Sequence, residues 1–229
     1  MILTLLFILS LNSYYFIPSP QMAEKKYTML CLGDSYTIGE SVSEDERFPN
    51  QCIKLLDSRK IRFDAPHIIA KTGWTTDELI HAITEAKLTA TYDCVTLLIG
   101  VNNQYRGYDK EVYRKEFRAL LNTALKYAGG VSKKVFVLSI PDWGVTPFGA
   151  ADAKGRSPQQ IGWQIDEYNA INKDEALKMK VHYTDINPIS KKAVQDHTLI
   201  ANDNLHPSGK MYAEWATLLT KEMEKVYGR

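Results

Sequence analysis

Two short polar segments near opposite ends of the chain carry residue types that acyl-transfer chemistry uses. The first runs from Gly33 to Ser35 and follows an apolar stretch. A serine that leaves a buried strand through a glycine-flanked turn is exposed together with its neighbouring backbone N–H groups. In the second segment, Asp203 stands three residues before His206, so its carboxylate can reach back to the imidazole. Together the segments predict a nucleophile and an oriented base.

Both segments also have a purely structural interpretation. Asp34 and Ser35 are typical of a turn at the end of a strand, and Asp203 is typical of a residue that caps the following helix. The motifs G-x-S-x-G, G-x-G-x-x-G and G-x-x-x-x-G-K-[ST] do not occur in the chain. The chain therefore does not match an α/β-hydrolase elbow, a dinucleotide-binding loop or a P-loop, and a nucleotide-binding α/β protein is the least favoured alternative.

Two further glycine-bearing segments follow other apolar runs. Gly100 leads into Asn102 and Asn103, and a neutral side-chain amide there can donate to a developing oxyanion without adding a charge. After an earlier apolar run, Gly73 can present its backbone N–H to a ligand at close range. Asn-rich turns and single glycines are also common in loops without function. Their meaning therefore depends on where the fold places them.

The alternation of short apolar runs with longer amphipathic ones predicts the fold that positions these residues. We expect a single domain over residues 26–229 with a three-layer α/β/α architecture and a mostly parallel five-stranded sheet. The predicted strands are 27–32, 63–70, 94–99, 134–140 and 181–186. The predicted helices are 48–58, 76–87, 110–127, 158–178 and 208–227. The polar segments then lie at the edge formed by the carboxyl ends of the strands, where ligand sites gather.

Composition limits the class of protein. The 229 residues are 45% hydrophobic and 24% charged, which is typical of a globular chain. Lys and Arg number 28 against 27 Asp and Glu, so a nucleic-acid partner is not expected. The three cysteines have apolar neighbours, which argues against a disulfide scaffold, and the five histidines lack ligand spacing. We therefore expect no metal and no cofactor, and the sequence does not indicate an oligomeric state.

The first 25 residues admit two interpretations. They begin with an apolar run too short to span a bilayer comfortably, which is typical of a secretory signal peptide. No Lys or Arg precedes this run and no small-residue cleavage site precedes Gln21, so translation from Met22 is the alternative. A signal peptide would place the mature domain in the periplasm or outside the cell, and a start at Met22 would place it in the cytoplasm. In neither case do we expect stable membrane insertion of the mature domain.

In combination, the four polar segments resemble those of the SGNH hydrolases, also called GDSL-type esterases and lipases. The resemblance extends over residues 28 to about 227 and implies the flavodoxin-like fold of that family. Each segment matches one short block of the family in order and approximate spacing, and the matching residues are Gly33-Asp34-Ser35, Gly73, Gly100-x-Asn102 and Asp203-x-x-His206.

The resemblance implies a catalytic role for five residues. Ser35 matches the nucleophile of the family, His206 its general base and Asp203 the carboxylate that orients the base. The backbone N–H of Gly73 and the side-chain amide of Asn102 match the donors of the oxyanion hole, together with the N–H of Ser35.

Two residues depart from the family pattern, because Tyr36 stands where Leu is usual and Asn103 where Asp is usual. Neither supplies a proposed catalytic atom, but both can reshape the pocket. We expect Tyr36, Trp74, Asn103 and Trp143 to contact the substrate.

The activity that the resemblance implies is hydrolysis of a small-molecule carboxylic ester through an acyl-enzyme on Ser35. The substrate would be an acyl or acetyl ester, with lysophospholipids and thioesters among the candidates. Two alternatives remain open: an acyltransferase that uses the same residues, and a catalytically inactive carbohydrate-binding relative.

Overall fold

The computed structural model describes residues 25–152 and 154–228. The apolar N-terminal run, on which the two interpretations of the first residues depend, lies outside this part. Within the described ranges, no helix is long and apolar enough to cross a membrane.

The centre of the fold is a five-stranded sheet in which every strand pair is parallel. Its spatial order is β2-β1-β3-β4-β5. The strands are β1 Met29–Gly33, β2 His67–Ala70, β3 Cys94–Leu98, β4 Val135–Leu138 and β5 His182–Thr184. Every residue of β1, β3 and β4 is buried, so the hydrophobic core lies on both faces of the central strands.

Helices cover the sheet, and five of them are long. In the described ranges the α-helices are α1 Ser35–Ile38, α2 Phe48–Asp57, α3 Thr76–Ala86, α4 Val101–Arg106, α5 Lys110–Tyr127, α6 Pro147–Ala150, α7 Pro158–Lys178, α8 Asn187–Lys191 and α9 Gly209–Tyr227. Short 3₁₀ turns lie at Glu44–Glu46, Ser132–Lys134, Trp143–Val145, Lys192–Val194 and His197–Leu199. Helices α2, α3, α5, α7 and α9 are the five that the sequence predicts.

Capping residues explain where the long helices begin. Asp109 precedes α5, and its Oδ1 accepts the N–H groups of Glu111 and Val112 at 2.9 and 3.0 Å. Ser157 precedes α7 and forms a reciprocal capping box with Gln160. Such signals are local in sequence, which is why these boundaries are predictable.

The helices form two groups, because α2 packs against α9 whereas α5 packs against both α3 and α7. Because crossovers between parallel strands are right-handed, the reversal of the strand order at β1 places these groups on opposite faces of the sheet. This arrangement confirms the predicted α/β architecture.

The strand order reverses beside β1, because the chain runs from β1 outward to β2 and then returns past β1 to β3. Loops that leave the carboxyl ends of β1 and β3 therefore diverge and open a crevice between them. Gly33 ends β1 directly opposite Leu98 at the end of β3.

Candidate active site

Ser35 begins helix α1 directly beyond the end of β1. The preceding Asp34 caps this helix, because its Oδ1 accepts a hydrogen bond of 3.0 Å from the N–H of Tyr36. Only glycine fits at position 33, since a Cβ on Gly33 would overlap the carbonyl oxygen of Leu98. A tight turn thus holds the Ser35 hydroxyl at the carboxyl edge of the sheet.

His206 lies in the turn that precedes α9 and is held by Asp203. The carboxylate oxygen Oδ2 lies 2.6 Å from the imidazole Nδ1, and Oδ1 accepts the backbone N–H groups of Leu205 and His206 at 3.0 and 2.9 Å. Ser41 Oγ donates a further hydrogen bond of 2.7 Å to Oδ2. The carboxylate therefore fixes the orientation of the ring and occupies Nδ1, which leaves Nε2 to accept a proton.

The environment of Asp203 keeps its carboxylate charged. Partial burial raises its pKa, but the hydrogen bonds from Ser41 and His206 outweigh this effect and hold the pKa well below its usual value. A charged partner stabilises the imidazolium that forms when the ring accepts a proton.

Asp34 lies in the opposite environment, although it neighbours the candidate nucleophile. Its side chain is fully buried, and in the described part of the chain its Oδ2 has no hydrogen-bond partner. Desolvation raises the pKa of Asp34 to about 7, and the hydrogen bond from the Tyr36 N–H opposes that rise only in part.

The two candidate oxyanion donors outside the serine turn lie on α4 and on the loop after β2. Gly100 adopts φ 126° between β3 and α4, a left-handed conformation that favours glycine. Asn102 follows in the first turn of α4 and donates one amide hydrogen to the carbonyl of Trp74 at 2.9 Å. Gly73 precedes that carbonyl with φ 85°.

Three further hydrogen bonds connect helix α4 to this loop and to the first residue of α3. Arg106 Nη2 donates to the carbonyl oxygen of Gly73 at 2.6 Å. Asn103 accepts the N–H of Thr76 at 3.1 Å and donates to its hydroxyl at 2.7 Å. These bonds fix the position of Gly73 relative to Asn102.

Four of the five predicted catalytic residues line one cavity of about 170 Å³, and Asp203 contacts it through His206. Its lining includes Ser35, Gly73, Asn102 and His206, contributed by four separate segments of the chain. Most of the remaining wall is aromatic or apolar, and those residues are Tyr36, Val101, Tyr105, Trp143, Phe148 and Leu205, with Thr72.

The predicted substrate contacts divide into two pairs. Tyr36 and Trp143 line the cavity, and the Tyr36 ring stands edge-on to the His206 ring with centroids 5.7 Å apart. Asn103 and Trp74 are not among the residues that line it. The Asn103 amide is fully buried in its hydrogen bonds to Thr76, and Trp74 contributes its carbonyl to Asn102 instead.

Sequence reasoning missed Ser41 and Arg106. Ser41 lies 162 residues from Asp203 in the chain, and no local motif links the two. Arg106 lies one helical turn beyond Asn102, and this spacing is the only feature of the sequence that could have pointed to it. Within the described ranges, no group of three or more His, Cys, Asp or Glu side chains is arranged to hold a metal ion.

Comparison with known proteins defines the class of this chain. The family model of the GDSL-like lipase/acylhydrolase family matches residues 31–214. The chain therefore belongs to this family of hydrolases, and the resemblance read from its sequence is confirmed. A search of curated proteins found no significant match.

Solved structures share the fold at low sequence identity. Esterase EstA from a Pseudoalteromonas species is 14% identical with a TM-score of 0.66, and the match covers 89% of this chain and 100% of EstA. The lipase/acylhydrolase from Enterococcus faecalis is 18% identical with a TM-score of 0.66 and coverages of 87% and 96%. The acetylxylan esterase Axe2 from Geobacillus stearothermophilus is 17% identical with a TM-score of 0.62 and coverages of 89% and 94%.

Proposed function

We propose that this protein hydrolyses carboxylic esters through an acyl-enzyme on Ser35. The observation that carries the proposal is the 2.6 Å contact between Asp203 and His206 at the wall of the cavity that Ser35 also lines. A carboxylate-oriented imidazole beside a serine hydroxyl is the arrangement that activates serine for attack on a carbonyl carbon. Family membership and the esterase names of the structural neighbours support the same chemistry.

The reaction has two steps. In the first, Ser35 Oγ attacks the ester carbonyl while His206 Nε2 takes the hydroxyl proton, and the tetrahedral intermediate collapses to an acyl-serine. His206 returns its proton to the departing alcohol. In the second step, His206 takes a proton from water, the hydroxide attacks the acyl-serine, and the acid leaves as the proton returns to Ser35 Oγ.

Neutral donors stabilise the oxyanion in this mechanism. They are the backbone N–H groups of Ser35 and Gly73 and the Asn102 amide hydrogen that the Trp74 carbonyl does not engage. The bond from Arg106 to the Gly73 carbonyl holds this set in place before the substrate arrives. Fixed donors of this kind need no reorganisation as charge develops on the oxygen.

The size of the cavity favours short acyl groups. Its volume of about 170 Å³ lies below the range of about 300–1,000 Å³ that is typical of drug-sized ligands. Trp143 is buried at its wall, which limits the space for a long chain. We therefore expect p-nitrophenyl acetate and butyrate to be cleaved much faster than p-nitrophenyl palmitate.

The decisive experiment compares wild-type protein with Ser35→Ala on p-nitrophenyl acetate. We expect kcat/KM to fall by about 10⁴-fold or more, because the variant lacks the nucleophile. Ser58→Ala is the matched control, since Ser58 is exposed and its hydroxyl donates to the nearby carbonyl of Leu55. Equal rates for wild type and Ser35→Ala would refute the proposal.

A further inference from the structure

A second cavity lies next to the catalytic cavity, and one segment of the chain separates the two. It has a volume of about 570 Å³, within the range of small-ligand sites. The segment 142–150 separates the two: Trp143 and Phe148 line the catalytic cavity, whereas Thr146 and Ala150 line the second cavity. This space is therefore distinct from the catalytic site.

A buried carboxyl group lines the second cavity. Asp142 is only 5% exposed, and its Oδ1 accepts the N–H of Gly144 at 2.9 Å. Its Oδ2 lies against Gly162, where a Cβ would come within 2.8 Å of it. Burial raises the pKa of Asp142, which reflects the cost of holding this carboxyl away from water. A carboxylate at the wall of a cavity can accept a hydrogen bond from a ligand hydroxyl.

An exposed aromatic ring stands at the same cavity. Trp163 follows Gly162 on α7, and 69% of its surface is exposed. No other large hydrophobic side chain in the described ranges is as exposed. A bare indole face beside a buried carboxyl group favours a ligand that has an apolar face and polar edges.

Charged groups of both signs line the second cavity. Lys191 lines it and donates to both oxygens of Asp166, at 3.1 and 3.2 Å. The lining therefore combines an ammonium group with the carboxylates of Asp142 and Asp166. A neutral ligand with hydroxyl groups can use both the donors and the acceptors of this lining, to which Gln159 adds an amide.

We propose that the second cavity is a saccharide-binding site, in which a sugar ring stacks on Trp163 and donates a hydroxyl hydrogen bond to Asp142. Binding there needs no catalysis, so this proposal goes beyond ester hydrolysis and does not rest on it.

The test is calorimetric titration of the wild-type protein with unacylated oligosaccharides: xylotetraose, cellotetraose, maltotetraose and chitotetraose. We expect at least one to bind, with a dissociation constant of about 0.1–10 mM. Trp163→Ala is expected to weaken that binding at least about tenfold, and Asp142→Asn to weaken it as well. Leu177→Ala is the matched control, because Leu177 lies on the same helix and is 62% exposed but is remote from the cavity lining.

Several outcomes would overturn the proposal. They are the absence of binding across the whole panel, undiminished binding by Trp163→Ala, and binding of choline chloride or inorganic phosphate alone. Thermal unfolding of each variant identifies any that fails to fold, and the exposed position of Trp163 makes its substitution the safer one. Because the probes carry no ester, these outcomes are independent of the Ser35→Ala result.

Discussion

The two turns that meet at the catalytic cavity each carry an aspartate, and the two aspartates lie in opposite environments. Asp34 is fully buried, has one unpartnered oxygen in the described part of the chain, and has its pKa raised to about 7. The side chain of Asp203 is 30% exposed and accepts four hydrogen bonds, from Ser41, Leu205 and twice from His206, and its pKa is lowered.

This difference shows that hydrogen-bond donors and burial, rather than residue type, set the charge of a carboxyl group. Of the two, Asp203 is the one that contacts the imidazole. A carboxylate stabilises an imidazolium only while it is charged, and the donors around Asp203 keep it charged. Asp34, by contrast, is neutral in mildly acidic solution, and its hydrogen bond to Tyr36 shapes the serine turn.

Among the substitutions that test this comparison, removal of the charged Asp203 carboxylate should cause the largest loss of activity. We expect Asp203→Ala to lower kcat on p-nitrophenyl acetate by about 10³–10⁴-fold, since His206 loses its orientation and the partner of its protonated form. Steady-state kinetics at pH 8 would measure this loss. Asp45→Ala is the control, because Asp45 is exposed and pairs with Lys54 at the surface. A loss below about tenfold would mean that His206 does not need this partner.

The second effect concerns Asp34 and the dependence of stability on pH. Its folded-state pKa of about 7 exceeds the ordinary value of 3.8, so the folded protein holds a proton that the unfolded chain has released between those values. The free energy of unfolding therefore falls as pH rises through this window. We expect wild type to lose about 1–3 kcal/mol relative to Asp34→Asn between pH 5 and 8.

Urea unfolding of both proteins at several pH values would measure this difference. Asp34→Asn keeps the oxygen that accepts the Tyr36 N–H, and the comparison cancels the contributions of all other groups. The window also avoids Asp203, whose stabilising contribution is lost only in strong acid because its pKa is lowered. Parallel stability curves would show that Asp34 is charged throughout.

The smallest loss of activity should come from removal of the Ser41 hydroxyl, which is the donor furthest from Asp203 in sequence. Ser41→Ala removes one hydrogen bond to the Asp203 carboxylate, and we expect kcat to fall about tenfold with KM unchanged. Ser43→Ala is the control, because Ser43 lies in the same loop but bonds to Glu46. Equal values of kcat for the two variants would show that the Ser41 hydroxyl does not contribute to catalysis.

Much of the fold is predictable from the sequence because its signals are local. The long helices begin and end within one residue of their predicted limits, as the caps at Asp109 and Ser157 allow. The short helices α1, α4, α6 and α8 were not predicted. Each has too few residues for an apolar period, and tertiary contacts decide whether it forms.

The candidate site was predictable only where short motifs mark it. Ser35, Asn102 and His206 stand in such motifs and line one cavity. Asn103 shows the limit, since sequence alone does not tell which of two adjacent amides faces the cavity and which one Thr76 holds in the interior. Arg106 is also beyond sequence reasoning, because its contact with Gly73 exists only after the chain has folded.

The measurement that tests the central claim most directly is covalent labelling with a fluorophosphonate, followed by intact-mass and peptide mass spectrometry. We predict one adduct per chain, located on Ser35, formed much more slowly in His206→Ala and absent in Ser35→Ala. Labelling of a different side chain, or a Ser35 that stays unmodified while the reagent is in excess, would contradict the claim that the two turns form one catalytic unit.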